Sequence, residues 1–69
     1  MSLSEGDRVE LLRDVTSAHR GECGVVTVVL PQSREVIVRI THDTECNLIV
    51  ASFELGPLPQ DWLTVCHCP

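Results

Sequence analysis

Gly21-Glu22-Cys23-Gly24-Val25-Val26-Thr27-Val28-Val29-Leu30 reads as a tight glycine turn feeding a long strand. Glycine reaches the positive φ values that such turns need without a Cβ clash. Val25 to Leu30 is apolar except for Thr27, and β-branched residues favour strands. An apolar run with that one exception suits a bent strand that serves two sides of a small barrel.

Working outward, Gly6-Asp7-Arg8-Val9-Glu10-Leu11-Leu12 precedes the turn. It predicts a first strand over Arg8 to Arg13, with Val9 and Leu11 on its apolar face. The polar segment Asp14 to Arg20 is a long first loop. Pro31-Gln32-Ser33 closes a hairpin. A third strand follows over Glu35 to Thr41, with Val36, Val38 and Ile40 on one face. His42 to Cys46 is a polar turn, and Asn47 to Ala51 a fourth strand. Ser52-Phe53-Glu54-Leu55 predicts a single 3₁₀ turn capped by Ser52. Gly56-Pro57-Leu58-Pro59 permits only a short edge strand. Gln60 to Pro69 lies beyond this unit, and Trp62, Leu63 and Val65 are expected to pack it back onto the rest.

The 69 residues fit one domain with one core. So short a chain buries only about 60% of its unfolded surface, which leaves stability marginal. Association or a metal would add to it. Five arginines and no lysine face ten carboxylates, for a formal charge of −5. That balance disfavours a phosphate-tracking nucleic-acid binder. No apolar run approaches the ~20 residues that span a bilayer. The start, Met-Ser-Leu-Ser-Glu, lacks the regions of a signal peptide. The expected compartment is cytoplasmic, with the four cysteines reduced and a long-range disulfide disfavoured.

Gly-Asp-Arg-Val, a loop, Gly-x-x-Gly-x-Val, a hairpin, Val-x-Val and Leu-x-Pro together resemble the KOW and SH3-like barrel group. The resemblance covers Gly6 to Leu58. It is similar to the photosystem I subunit IV type, to the ferredoxin-docking small subunit of the photosynthetic NDH complex, and to short bacterial SH3-like domains. It implies a five-stranded SH3-like barrel, and the first two likenesses imply a docking subunit without catalytic residues. KOW segments are typically basic, whereas this chain is acidic. Type II dihydrofolate reductase shares the barrel, but its Val-Gln-Ile-Tyr signature is absent. The nearest stretch reads Asn47-Leu48-Ile49-Val50.

No Gly-x-Ser-x-Gly, phosphate loop or His-Glu-x-x-His occurs, so no enzyme activity is expected. Arg13, His19 and Arg20, with Arg34 and Arg39, are candidates for one positive patch. The alternative is solvated charge offset by Asp14, Glu22 and Glu35. Trp62 is either a partner-binding anchor or a plug for the open barrel end. Cys66-His67-Cys68, with Cys23, Cys46, His19 and His42, holds the residue types that bind zinc. In an extended strand Cys66 and Cys68 point to one side. Their spacing is not the common knuckle, and the alternative makes Cys23 and Cys46 small buried hydrophobes and the tail cysteines free thiols.

The expectation is therefore an all-β, SH3-like five-stranded small barrel over residues 1–59, with one 3₁₀ turn and a packed C-terminal extension over 60–69. Its expected role is a non-enzymatic protein-interaction or assembly module. Arg13, His19, Arg20 and Trp62 are its candidate partner contacts, with a protein partner or self-association, no membrane and no cofactor. The alternatives are a KOW-type nucleic-acid-binding module and a small metal-binding protein that uses Cys66, His67 and Cys68.

Overall fold

A computed structural model describes residues 2–69 as an all-β chain. Five antiparallel strands form one sheet: β1 (Arg8–Leu11), β2 (Cys23–Leu30), β3 (Glu35–His42), β4 (Leu48–Pro59) and β5 (Leu63–Val65). The order across the sheet is β4-β3-β2-β1-β5, so β4 and β5 are its edges. No pairing joins those edges, and the sheet is not closed into a barrel. No helix among the described residues is long and apolar enough to cross a membrane.

The apolar alternation places the core. Val9 and Leu11 of β1 and Val36, Val38 and Ile40 of β3 are all at most 1% exposed. They pack with Val26, Leu55, Leu58 and Leu63 in one cluster. Each such side chain contributes about 1.5–3 kcal/mol when fully buried. β2 bends through a register shift between Val26 and Val28. Around that bulge Val26 lies in the core and Val29 packs against it, whereas Val28 is exposed, so the apolar run serves one core rather than two sides of a barrel.

Several expectations need correction. The single 3₁₀ turn lies at Gln60–Trp62, not at Ser52 to Leu55. Ser52 to Leu55 instead continues β4, with Arg39 opposite Glu54 and Ile40 opposite Phe53. Pro57 and Pro59 are tolerated because β4 is an edge strand, where a missing N–H need not face a partner. The predicted extension supplies the fifth strand, with Leu11 opposite Leu63 and Val9 opposite Val65. Leu63 is buried and Trp62 half-buried, but Val65 is 69% exposed and does not pack back.

The two glycines of the turn do different work. Gly21 has φ +96° and makes the turn. Gly24 sits inside β2, where an added Cβ would overlap the Arg39 carbonyl oxygen. It is needed for the close approach of β2 and β3, not for a positive φ.

Candidate metal centre

Alternating side chains of a strand point to opposite faces of the sheet. Val9 and Leu11 face the core, so Glu10 faces outward. Cys23 is directly opposite Glu10 on β2, and His42 is opposite Cys23 on β3. The outer face thus begins with a carboxylate beside a thiol. Cys23 is nonetheless 0% exposed, although neither it nor Cys68 belongs to the main apolar cluster. The C-terminal tail lies over it.

Contacts to Arg8 and Glu10 hold the tail there, and one bond within the tail shapes it. The Cys66 N–H donates to the Arg8 carbonyl (3.3 Å), carrying the β5 pairing one step further. The His67 N–H donates to Glu10 Oε1 (3.3 Å), and the His67 Nδ1 also contacts that carboxylate oxygen closely. The Cys68 N–H donates to Cys66 Sγ (3.3 Å).

Cys46 reaches the same point from the β3–β4 turn. Asp43 builds that turn: its Oδ1 accepts from the N–H groups of Glu45 and Asn47, both at 2.9 Å. The Asn47 N–H, then those of Glu45 and the Asn47 side chain, hold the Asp43 carboxyl below its ordinary range. The Cys46 N–H donates to the Asp43 carbonyl (3.0 Å). Cys46 itself takes φ +68°, the left-handed conformation that re-aims a chain sharply.

All the cysteines therefore converge from three parts of the chain. Cys46 and Cys68 form a disulfide, while Cys23 and Cys66 are free thiols. This overturns the expectation that a long-range disulfide is disfavoured and that the tail cysteines are both free. Cys23 Sγ lies 3.7 Å from Cys68 Sγ. His67 stands among them, with Nδ1 3.8 Å from Cys23 Sγ and Nε2 3.4 Å from Cys46 Sγ. The ligand atoms of Cys23, Cys66 and Cys68 lie within 4.8 Å of one another, as do those of Cys46, His67 and Cys68. Burial, then the neighbouring Cys66, pushes the Cys23 thiol up to about 11. An Arg8 Nη2 sits 3.8 Å from Cys66 Sγ as the nearby positive charge.

The other candidate residues fall elsewhere. His19 is exposed in the first loop, where its N–H donates to Glu22, and His42 bonds Thr41 Oγ1. Neither His19 nor His42 joins the sulfur cluster. The Arg13 guanidinium stacks over Trp62, 4.4 Å from the ring centroid. The Arg20 N–H donates to Asp14 Oδ1 (2.8 Å). The proposed partner contacts thus split into an Arg13–Trp62 pair and a loop bearing His19 and Arg20. Glu10 carries no sequence signal that marks it for this site. Its outward alternation with Val9 and Leu11 is readable, but its place opposite Cys23 depends on strand register. The grooves beside Leu3 and Gln60 contain neither cysteine nor histidine.

Compared with known proteins, the chain matches no family model, no curated protein and no solved structure.

Proposed function

We propose that this chain is a small non-enzymatic module that takes up a soft divalent metal ion of the zinc class in its reduced thiol cluster. The observation that carries this reading is the 3.7 Å separation of the Cys23 and Cys68 sulfurs. With Zn–S bonds of about 2.3 Å, the edge of a tetrahedral four-thiolate site is about 3.8 Å. Cys23, Cys66 and Cys68 supply three ligands that already lie within 4.8 Å of one another, and Cys46, grouped with Cys68 and His67, is the fourth once reduction frees it to turn toward them. Glu10 holds His67 beside the sulfurs, an outer-shell arrangement that fixes the tail.

Cys46 becomes a ligand only once its disulfide with Cys68 is reduced. A dithiol reductant gives up two electrons and two protons to the Cys46–Cys68 bond and becomes a disulfide itself. Cys23, Cys46, Cys66 and Cys68 would hold the ion as thiolates, since a bound cation would reverse the effect of burial on the Cys23 thiol. Ligation by these residues would tie the tail to β2 and to the β3–β4 turn, adding stability that so small a core lacks.

The fold reading that goes with this function is SH3-like. Five antiparallel strands, a long first loop and a 3₁₀ turn before the last strand support it. A nucleic-acid role has less support. Arg13 is engaged with Trp62, Arg39 pairs with Glu54 at 3.8 Å, and Arg8 lies beside Cys66, so the positive charges are dispersed. A second reading, assembly through a sheet edge, is favoured by the exposed Leu48 (72%) and Val50 (101%) on β4. Sedimentation equilibrium of the reduced chain tests it: a monomer at every concentration removes self-association.

The test of the metal reading is elemental analysis. The chain is reduced, loaded with zinc and desalted. One zinc per chain that is lost in Cys23→Ser and Cys68→Ser supports it. Less than one ion in ten chains refutes it.

A further inference from the structure

The oxidised cluster has chemistry that metal binding does not use. Cys68 is bonded to Cys46, yet the free Cys23 sulfur lies only 3.7 Å from it. Thiol–disulfide exchange needs a sulfur nucleophile within reach of a disulfide sulfur, a receiver for the leaving sulfur, and a route for the proton. All of these are present. The geometry points to an intramolecular thiol–disulfide exchange site in which Cys23 attacks Cys68 and displaces Cys46. It concerns the metal-free, oxidised chain and does not depend on the metal reading.

The step balances without any external oxidant or reductant. The Cys23 sulfur forms a bond to the Cys68 sulfur, and the Cys68–Cys46 bond breaks with its electron pair going to Cys46. The proton leaves Cys23 for His67 Nδ1, 3.8 Å from the Cys23 sulfur. His67 releases the proton on Nε2 to the Cys46 sulfur, 3.4 Å away. Glu10 accepts from the His67 backbone N–H and keeps the ring in place. His67 ends as the other tautomer, and one disulfide and two thiols remain.

The consequence is a change in which thiol the surroundings can reach. Cys23 is 0% exposed, whereas Cys46 is half-buried on the β3–β4 turn. Exchange moves a sealed thiol to a surface position facing a histidine. There it can attack a low-molecular-weight disulfide, forming a mixed disulfide at Cys46 and releasing one small thiol. Cys66 is partly exposed already and reports nothing about this step.

The test uses the full chain with Cys66→Ser, which keeps an oxygen acceptor for the Cys68 N–H and removes the competing thiol. The protein is oxidised to one internal disulfide in the presence of a chelator and held for minutes to hours, the range of uncatalysed disulfide rearrangement. Native alkylation with iodoacetamide and peptide mapping follow. Label at Cys46 together with a Cys23–Cys68 linkage is the expected result. Adding His67→Gln should slow the appearance of that label by roughly tenfold or more, as for loss of a positioned proton-transfer group. Failure to form an internal disulfide, or Cys46–Cys68 as the sole linkage at every time, overturns the proposal. An unchanged rate in His67→Gln overturns the proton route.

Discussion

The sulfur of Cys23 lies 3.7 Å from that of Cys68, 45 positions apart in the sequence. The contact exists because β5 runs antiparallel to β1 and returns the tail to the strand that pairs with β2. The sheet therefore assembles the site, and disturbing the sheet should disturb the site.

Leu63 anchors β5 and is 8% exposed. Leu63→Ala should cost about 2–5 kcal/mol, as for other buried leucine truncations. That is a large share of the ~5–15 kcal/mol typical of a domain. Urea unfolding of the reduced, metal-free chain measures it. A loss under 1 kcal/mol would contradict the account of β5 as a core strand.

Gly24 admits β3 at close range. Gly24→Ala drives a Cβ toward the Arg39 carbonyl oxygen and the Val38 side chain. The backbone must shift, at a cost of about 1–3 kcal/mol. Because Cys23 adjoins this position, the variant should also slow the exchange of Cys23 with the Cys46–Cys68 disulfide. An unfolding midpoint unchanged from that of the parent chain would show that β2 and β3 have room to spare.

Asp43 holds the turn that presents Cys46. Its folded pKa is lowered from the ordinary value of 3.8, first by the Asn47 N–H. The carboxylate therefore stabilises the turn above about pH 4, and that contribution fades as pH falls through the lower folded value. Amide chemical shifts of Glu45 and Asn47 should titrate together in acid. Asp43→Asn should abolish the titration while keeping an acceptor. Amide shifts that first move near neutral pH would point to another group.

Arg13 covers one face of Trp62 at 4.4 Å. Arg13→Ala should lower stability by about 0.5–1 kcal/mol, the range for exposed cation–π pairs. Tryptophan emission should shift to the red as the ring meets water. Emission that does not move would mean that the pair does not persist in solution.

Much of this architecture was readable in advance. Val9 and Leu11, and then Val36, Val38 and Ile40, announce their buried faces by strict alternation. β4 was harder, because Gly56-Pro57-Leu58-Pro59 carries the residues that usually end a strand. An edge position removes the objection to those prolines, and edge status is a property of the whole sheet. Ser52-Phe53-Glu54-Leu55 was misread for a related reason: pairing of Glu54 with Arg39 overrides local turn propensity. The thiols of Cys66 and Cys68 were legible as a pair with shared direction. Their meeting with Cys23 and Cys46 depends on register and on the left-handed Cys46, which no local spacing encodes. Glu10 depends on register in the same way; His19 lies in a loop that leads elsewhere, and His42 ends β3 opposite Cys23 but turns its ring to Thr41 Oγ1.

The most direct measurement is a cobalt(II) titration of the reduced full chain, followed by visible absorption. Tetrahedral thiolate ligation by Cys23, Cys46, Cys66 and Cys68 predicts intense visible bands that saturate at one ion per chain. Zinc should bleach those bands, and Cys23→Ser should weaken them. A spectrum that remains that of hydrated cobalt throughout the titration would contradict the account.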